Sequence, residues 1–430
     1  MATRAPFLRT RYGGYFHRDV PAEDGELTHV GPETSGGELL RRFWQPVCFS
    51  DDLQDLPLRV KILGEDLVVF RDRSGAAGVL ELHCPHRGTS LEFGLIDDRG
   101  IRCCYHGWLF APDGTILETP GEPEDSTLKD RLCHGAYAVQ EATGIVFAYM
   151  GPPDQRPPFP VYDSFVRPGY RLIPGRKYFY PCNWLQIMEN AMDPAHTAFL
   201  HTIVSGSQFT NEFGVLPELE FVETPIGMIY VATRRVGQNI WARMVETVLP
   251  NLQQVAPVWE DGQQEHPFSG PMMSRWIVPI DDTNTMLIEY RHVCEVAGVT
   301  PAWWGDRTIM LPGQLAGDSY EAGQRTPGDF EAQVSQRPIA IHGLEHLGAT
   351  DRGVSMFRNL MRRGIRAVKA GQDPAGLCRD AEAIIPTYCN DTIVRVPLAD
   401  DPEMDRQLLR ETGRRLADSY LVDPPLATGL

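Results

Sequence analysis

The chain has 430 residues, enough for two or three domains with sizeable cores. Hydrophobic residues make up 42% and charged residues 23%, which excludes a disordered chain, and 40 glycines with 35 prolines argue against an all-helical bundle. The net charge of −17 makes a nucleic-acid backbone or an anionic membrane surface a poor partner.

Residues 1–35 are polar and turn-rich and are expected to wrap over something else. GELLRRFWQPV (37–47) reads as a short helix with Leu39, Leu40 and Phe43 on one side. From 58 the pattern turns to short strands. LRVKIL and LVVFRD flank Gly64-Glu65-Asp66, VLELH follows Ser74-Gly75, and TGIVFAYMG (143–151) closes the region. PPDQRPPFP (152–160) is the best linker candidate. Beyond it, 226–236 and 239–249 read as a hairpin about Gly237-Gln238, and 275–280 and 285–293 as another about 281–284. Val354, Phe357, Met361, Ile365 and Val368 fall at helical spacing, and 403–421 is a charged helix. The division expected is 1–155, β-rich, and 156–430, larger and α+β. No apolar stretch approaches a membrane span. The first twenty residues show no apolar signal core, so a cytoplasmic location is expected.

Nine cysteines, odd in number and widely spaced, fit a reducing compartment rather than a disulfide framework. Between 84 and 106 histidines intrude. HCPHRG…RCCYHGW gives Cys84-x-His86, sixteen intervening residues, then Cys103-x-x-His106. Two thiolates and two imidazoles on two glycine-containing loops are a metal site by ligand type. Zinc would take all four around one ion. A [2Fe–2S] cluster would place two cysteines on one iron and two histidines on the other. One cysteine and one histidine on each arm is unlike the C-x-x-C knuckles of zinc ribbons. CPHRG and CxYHGW strongly resemble the Rieske iron–sulfur family. The resemblance assigns Cys84 and Cys103 to one iron and His86 and His106 to the other, with Cys104 a neighbour.

NWLQIMENAMDPAHTAFLHT (183–202) carries N-x-x-D-x-x-H-x-x-x-x-H. Asp193 and His196 share a helical face, but His196 and His201 sit about 140° apart on an ideal α-helix. Both reach one metal only if the helix is distorted or ends, to which Pro194 contributes. A Rieske cluster passes single electrons and needs a partner that consumes them. Fe(II) held by two histidines and one carboxylate leaves positions open for O₂. The stretch closely resembles the α-subunit motif of the Rieske non-haem iron oxygenases. That resemblance implies His196 and His201 as iron ligands. It makes Asp193 the bridge to a cluster histidine, His106, of a neighbouring subunit, and puts Asn190 near the iron. Candidates for the third ligand are Asp306, Asp318, Asp329, Glu345 and Asp351. The stretch 327–353 resembles the phthalate- and vanillate-type branch, which favours Asp329, with Asp351 next and otherwise suited to a helix start.

The resemblance covers nearly the whole chain. It implies an all-β Rieske domain and a helix-grip catalytic domain, an antiparallel sheet curled over a long helix, in a head-to-tail homotrimer. It implies a [2Fe–2S] cluster, a mononuclear Fe(II), and an NAD(P)H-dependent reductase carrying flavin and iron–sulfur, with or without a ferredoxin. The outcomes it allows are mono- or cis-dihydroxylation of an aromatic substrate, or O-demethylation of a methoxylated one. Phe209, Phe213, Trp241, Trp276, Trp303 and Trp304 are candidate cavity walls. Arg234, Arg243, Arg275 and Arg291 are candidates to grip a substrate carboxylate. The different-class alternatives are a Rieske electron carrier, which leaves 275 residues without a role, and a zinc-stabilised binding module. The acidic background also suggests that a reductase docks on a local basic patch.

Overall fold

A computed structural model describes residues 7–15 and 19–425. In the first third, six antiparallel strands lie side by side in the order Trp44–Phe49, Ile145–Tyr149, Ala136–Ala142, Ala77–Glu81, Glu65–Arg71 and Leu58–Ile62. The last pair turns at Leu63-Gly64, where φ is 51° and 80°. Two successive positive φ values match the right-handed strand twist, and glycine takes one of them without strain. The turn is thus one residue earlier than expected, and Glu65 and Asp66 belong to the strand.

The chain at 37–47 differs from expectation. The helix is Ser35–Leu40, and Trp44–Phe49 is a strand. Pairing with Ile145–Tyr149 buries all six of its residues and overrides the helical pattern. A second, four-stranded sheet (Leu95–Asp97, Gly100–Arg102, Leu109–Phe110, Ile116–Glu118) has its own small core of Val68, Phe70, Leu80, Ile101 and Trp108. The two cysteine–histidine loops leave this region.

The second half is built on an eight-stranded antiparallel sheet. Its order is Tyr170–Tyr180, Asn284–Cys294, Met273–Asp281, Leu252–Val255, Asn239–Val248, Gly227–Val236 and Glu218–Thr224, with Asn390–Arg395 also paired to Asn239–Val248. Strand alternation sorts its faces. Met228, Tyr230 and Ala232 face the main core, while Ile229 and Val231 pack with Ala417 of the C-terminal helix Pro402–Val422. Helices Trp184–Asn190 and Arg352–Lys369 pack on this sheet and on each other. This is the α+β arrangement of sheet over helix expected from the sequence.

The proline-rich stretch is no free linker. Trp44 Nε1 donates to Pro157 O at 3.1 Å, and Phe159 packs on Trp44 and Phe147. The N-terminal helices Gly25–Thr28 and Ser35–Leu40 lie against Arg352–Lys369, so the early chain wraps the second half.

Candidate active site

Asn183 caps the helix Trp184–Asn190, its side chain accepting from Leu185 N at 3.1 Å. The helix stops at Asn190. It resumes as His196–Ala198 and continues as a π-helix, Phe199–Val204. In a π-helix residues five apart are hydrogen-bonded neighbours. That local change puts His196 and His201 on one side, their rings 5.2 Å apart.

Asp329 opens the helix Asp329–Val334 and completes the group. Its Oδ1 lies 3.6 Å from His196 Nε2 and 3.5 Å from His201 Nε2. The other ring nitrogens are engaged: His201 Nδ1 with Gln208 Oε1 at 2.8 Å, and His196 Nδ1 with the main-chain oxygen of Asp193. Those acceptors hold each ring by its Nδ1 and leave both Nε2 atoms turned toward Asp329. Burial alone would raise Asp329, but His201, His196 and Arg275 outweigh it and hold its carboxyl well below the usual carboxylate range. Two imidazole nitrogens and one carboxylate oxygen, all within 4.8 Å of one another, are a donor set that fits non-haem iron with open positions.

The other acids are accounted for. Glu345 and Glu189, grouped with His342, both accept from Arg358, so a guanidinium fills that cluster. Asp351 accepts from Gly348 N at 2.6 Å, ahead of the long helix. Asp306 holds Thr308, and Asp318 is exposed. Asn190 donates to Asp329 Oδ1 at 3.2 Å. The Asp193 carboxylate stands 3.9 Å from His196 Nδ1 and accepts from Ala195 N.

The two cysteine–histidine loops have the same construction. Gly88 N donates to Cys84 O (2.8 Å) and Gly107 N to Cys103 O (3.1 Å), with φ of 76° and 75° at the glycines. Cys84 N bonds Thr89 O, and Cys103 N bonds Trp108 O. The two thiols are buried neighbours, whereas His86 is exposed and its ring lies 4.5 Å from that of His106. Burial, more than the adjacent Cys103, pushes the Cys84 thiol up to about 11, so its ionisation depends on a bound cation. Among the described residues, these four do not form a group converging on a single ion. Thiols inside and imidazoles outside fit the two unlike irons of a cluster better than one zinc. Cys104 is exposed.

Residues 43–136 match the Rieske [2Fe-2S] domain family. The chain is 44% identical to the tert-butanol monooxygenase / tert-amyl alcohol desaturase oxygenase subunit of Aquincola tertiaricarbonis, over 95% of this chain and 91% of that protein. It is 37% identical to the phenoxybenzoate dioxygenase subunit alpha of Ectopseudomonas oleovorans, over 90% and 95%. The chain belongs to the oxygenase subunits of the Rieske non-haem iron oxygenases. The fold agrees with the oxygenase of a carbazole 1,9a-dioxygenase–ferredoxin complex (TM-score 0.56, 22% identity, 78% of this chain and 94% of that one). As a Rieske oxygenase subunit, the protein uses a [2Fe–2S] cluster and a mononuclear iron. No helix among the described residues is long and apolar enough to cross a membrane.

In this Rieske oxygenase a cleft reaches the His196–His201–Asp329 group. Phe209, Phe213, Tyr230, Val245 and Leu311 supply apolar wall. Trp241 stands behind Phe213, while Trp276 lines a separate interior pocket and Trp303 and Trp304 cluster with Trp259. Of the four arginines, Arg291 is consumed by Glu289 and three main-chain oxygens. Arg243 lines the cleft but is paired with Asp391 at 2.9 Å. Arg275 lines it and bonds Gln253 and Gln314.

Arg234 shares the strand face of Tyr230 and is 1% exposed. It donates to Val215 O and Thr197 Oγ1, and its Nη1 has no hydrogen-bond partner among the described residues. Burial pulls its guanidinium down to about 10. Sequence reasoning missed the glutamines, Gln208, Gln253 and Gln314. Their residue type carries no metal signal, and no spacing links them to the motif.

Proposed function

We propose that the enzyme hydroxylates a carboxylated aromatic molecule, with His196, His201 and Asp329 holding the mononuclear iron. The observation that carries this reading is the convergence of those three side chains at the end of a mostly apolar cleft. Cys84 and Cys103, with His86 and His106, would hold the cluster. Bound in these two places, the metals supply electron transfer and O₂ activation. The protein's share is to orient the ligands, keep the cleft apolar and choose which carbon faces the iron. Residues 1–155 deliver electrons and 156–430 use them, in a cytoplasmic homotrimer fed by an NAD(P)H-dependent reductase of the flavin and iron–sulfur type. The ferredoxin complex of the carbazole enzyme supports an iron–sulfur protein as the immediate electron donor. Asp193, its carboxylate partly exposed beside His196, would bridge to His106 of the neighbouring subunit. Asp193→Asn should keep both metals and slow single-turnover oxidation; unchanged rates would remove the bridge.

Arg234 supports the carboxylate. A buried guanidinium beside the cleft residue Thr197, faced by the Phe213 and Trp241 rings and, among the described residues, by no carboxylate within bonding distance, keeps one unpartnered donor, Nη1, that an anion would satisfy. The phenoxybenzoate relative fits this reading. A second reading, oxidation of a small branched alcohol, is favoured by the 44% identity to the tert-butanol enzyme. A screen of carboxylated arenes, methoxylated aromatic acids and tertiary alcohols with a surrogate reductase, scoring product and formaldehyde, separates the readings. Turnover of aromatic acids whose KM rises in Arg234→Met supports the first. Turnover of tertiary alcohols alone overturns it.

A further inference from the structure

The side chains behind Asp329 form a closed circuit. Gln314 Nε2 donates to Asp329 Oδ2 at 2.5 Å. Gln314 Oε1 accepts from Arg275 Nη1 at 3.2 Å. Arg275 Nε donates to Gln253 Oε1 at 2.8 Å, and Gln253 Nε2 reaches Ile187 O and Met188 O, both at 3.3 Å. Those carbonyls belong to the helix Trp184–Asn190, whose last residue, Asn190, donates back to Asp329 Oδ1. Gln253, Arg275, Gln314 and Asp329 are all buried, which strengthens each of these bonds over its counterpart in water.

The circuit has one orientation. Arginine offers only donors, so the atom of Gln314 facing Arg275 must be the carbonyl oxygen. The amide nitrogen therefore faces Asp329. Arg275 thus sets the amide, and the amide occupies Oδ2. The main chain is held as well, with Tyr180 Oη donating to Gln314 O at 3.0 Å. Oδ1 is the oxygen turned toward both histidine Nε2 atoms.

We infer that Gln314, oriented by Arg275, is a positioning residue that restricts Asp329 to ligating through Oδ1 alone. This rests on the reading of His196, His201 and Asp329 as the iron ligands. With Oδ2 committed to Gln314, the carboxylate would offer a bound iron one oxygen instead of two and would leave more room for O₂ and substrate.

The test uses the intact enzyme with its cluster, depleted of mononuclear iron and titrated with Fe(II). Two readouts are taken: the Fe(II) dissociation constant, and the electron paramagnetic resonance line shape of the ferrous site with nitric oxide as probe. Gln314→Met keeps the length and removes the donor. It should change the line shape, as Oδ2 becomes free to ligate, and shift the Fe(II) dissociation constant about tenfold or more, while the cluster spectrum stays as in the wild type. Arg275→Lys keeps the charge but cannot hold both glutamines, and should shift both readouts in the same direction by less. Wild-type affinity and line shape in Gln314→Met would overturn the inference. The same result in Arg275→Lys would overturn the part given to Arg275. Asp329→Ala separates the two levels. If it keeps wild-type iron affinity, the ligand assignment itself fails. If it loses iron while Gln314→Met is unchanged, only the positioning role fails.

Discussion

His201 and Gln208 clasp each other twice: Gln208 Oε1 lies 2.8 Å from His201 Nδ1, and Gln208 N donates to His201 O at 2.9 Å. The main-chain bond ties the turn after the π-helix to the histidine, and the side-chain bond selects the ring's tautomer. Gln208→Leu should leave the first and abolish the second. Iron retention against a chelator should fall about tenfold, whereas Gln208→Glu, which keeps the acceptor, should retain it. Equal retention in Gln208→Leu and wild type would show that ring orientation is set elsewhere.

Arg358 joins the long helix to the helix that precedes the site. It donates twice to Glu189 (2.5 and 2.8 Å) and twice to Glu345 (2.7 and 3.1 Å). Glu189 is buried and directly precedes Asn190. Arg358→Met would leave that carboxylate without its cation and should cost about 3–5 kcal/mol of stability. Arg363→Met, five residues on in the same helix, breaks only the exposed pair with Glu223 and should cost under about 1 kcal/mol. Denaturant unfolding of the two variants under the same conditions gives the comparison.

Glu246 carries a pH dependence of definite sign. It is fully buried, its Oε2 accepts from Tyr388 N at 2.7 Å, and its Oε1 has no partner among the described residues. Gln254, opposite it across the strands, has an unpartnered Oε1 as well. Burial, more than anything else, raises the carboxyl to about 8. Its folded value thus lies above its unfolded one, so between about pH 4.5 and 8 the native state holds a proton that the unfolded chain does not. Over that window this group makes stability fall as pH rises. Glu246→Gln imitates the protonated acid and should flatten the slope, gaining roughly 3–4 kcal/mol near pH 7.5. Parallel stability-against-pH curves for variant and wild type would contradict the assignment.

The motifs that carry metal-ligand chemistry were legible because ligand type and spacing are written locally. Cys84, His86, Cys103 and His106 lie within one short stretch, and the five-residue step from His196 to His201 already required an irregular helix. The structure names the irregularity as a π-helix. The hairpin at Gly237-Gln238 and the helix Arg352–Lys369 were equally clear from alternation and period. Asp329 was reachable only through resemblance, since 127 residues lie between it and His201. The helical pattern at 37–47 overruns the helix Ser35–Leu40 because strand pairing with 145–149 is not a local property. Gln208, Gln253 and Gln314 were out of reach altogether. Glutamine is common, and what distinguishes these three is a set of partners fixed by tertiary packing.

Arg275 and Gln314 each have two employments. They form part of the cleft wall, and they stand in the hydrogen-bond circuit behind Asp329. Remodelling this enzyme for a new substrate by exchanging wall residues is therefore not one operation. Changes at Val245 or Leu311 alter shape, whereas Phe209 also packs on the His201 ring and Phe213 on the Arg234 and Arg243 guanidiniums. A change at Arg275 or Gln314 alters shape and ligand support together, and a variant that accepts a new molecule there would need its metal content measured before its selectivity is interpreted.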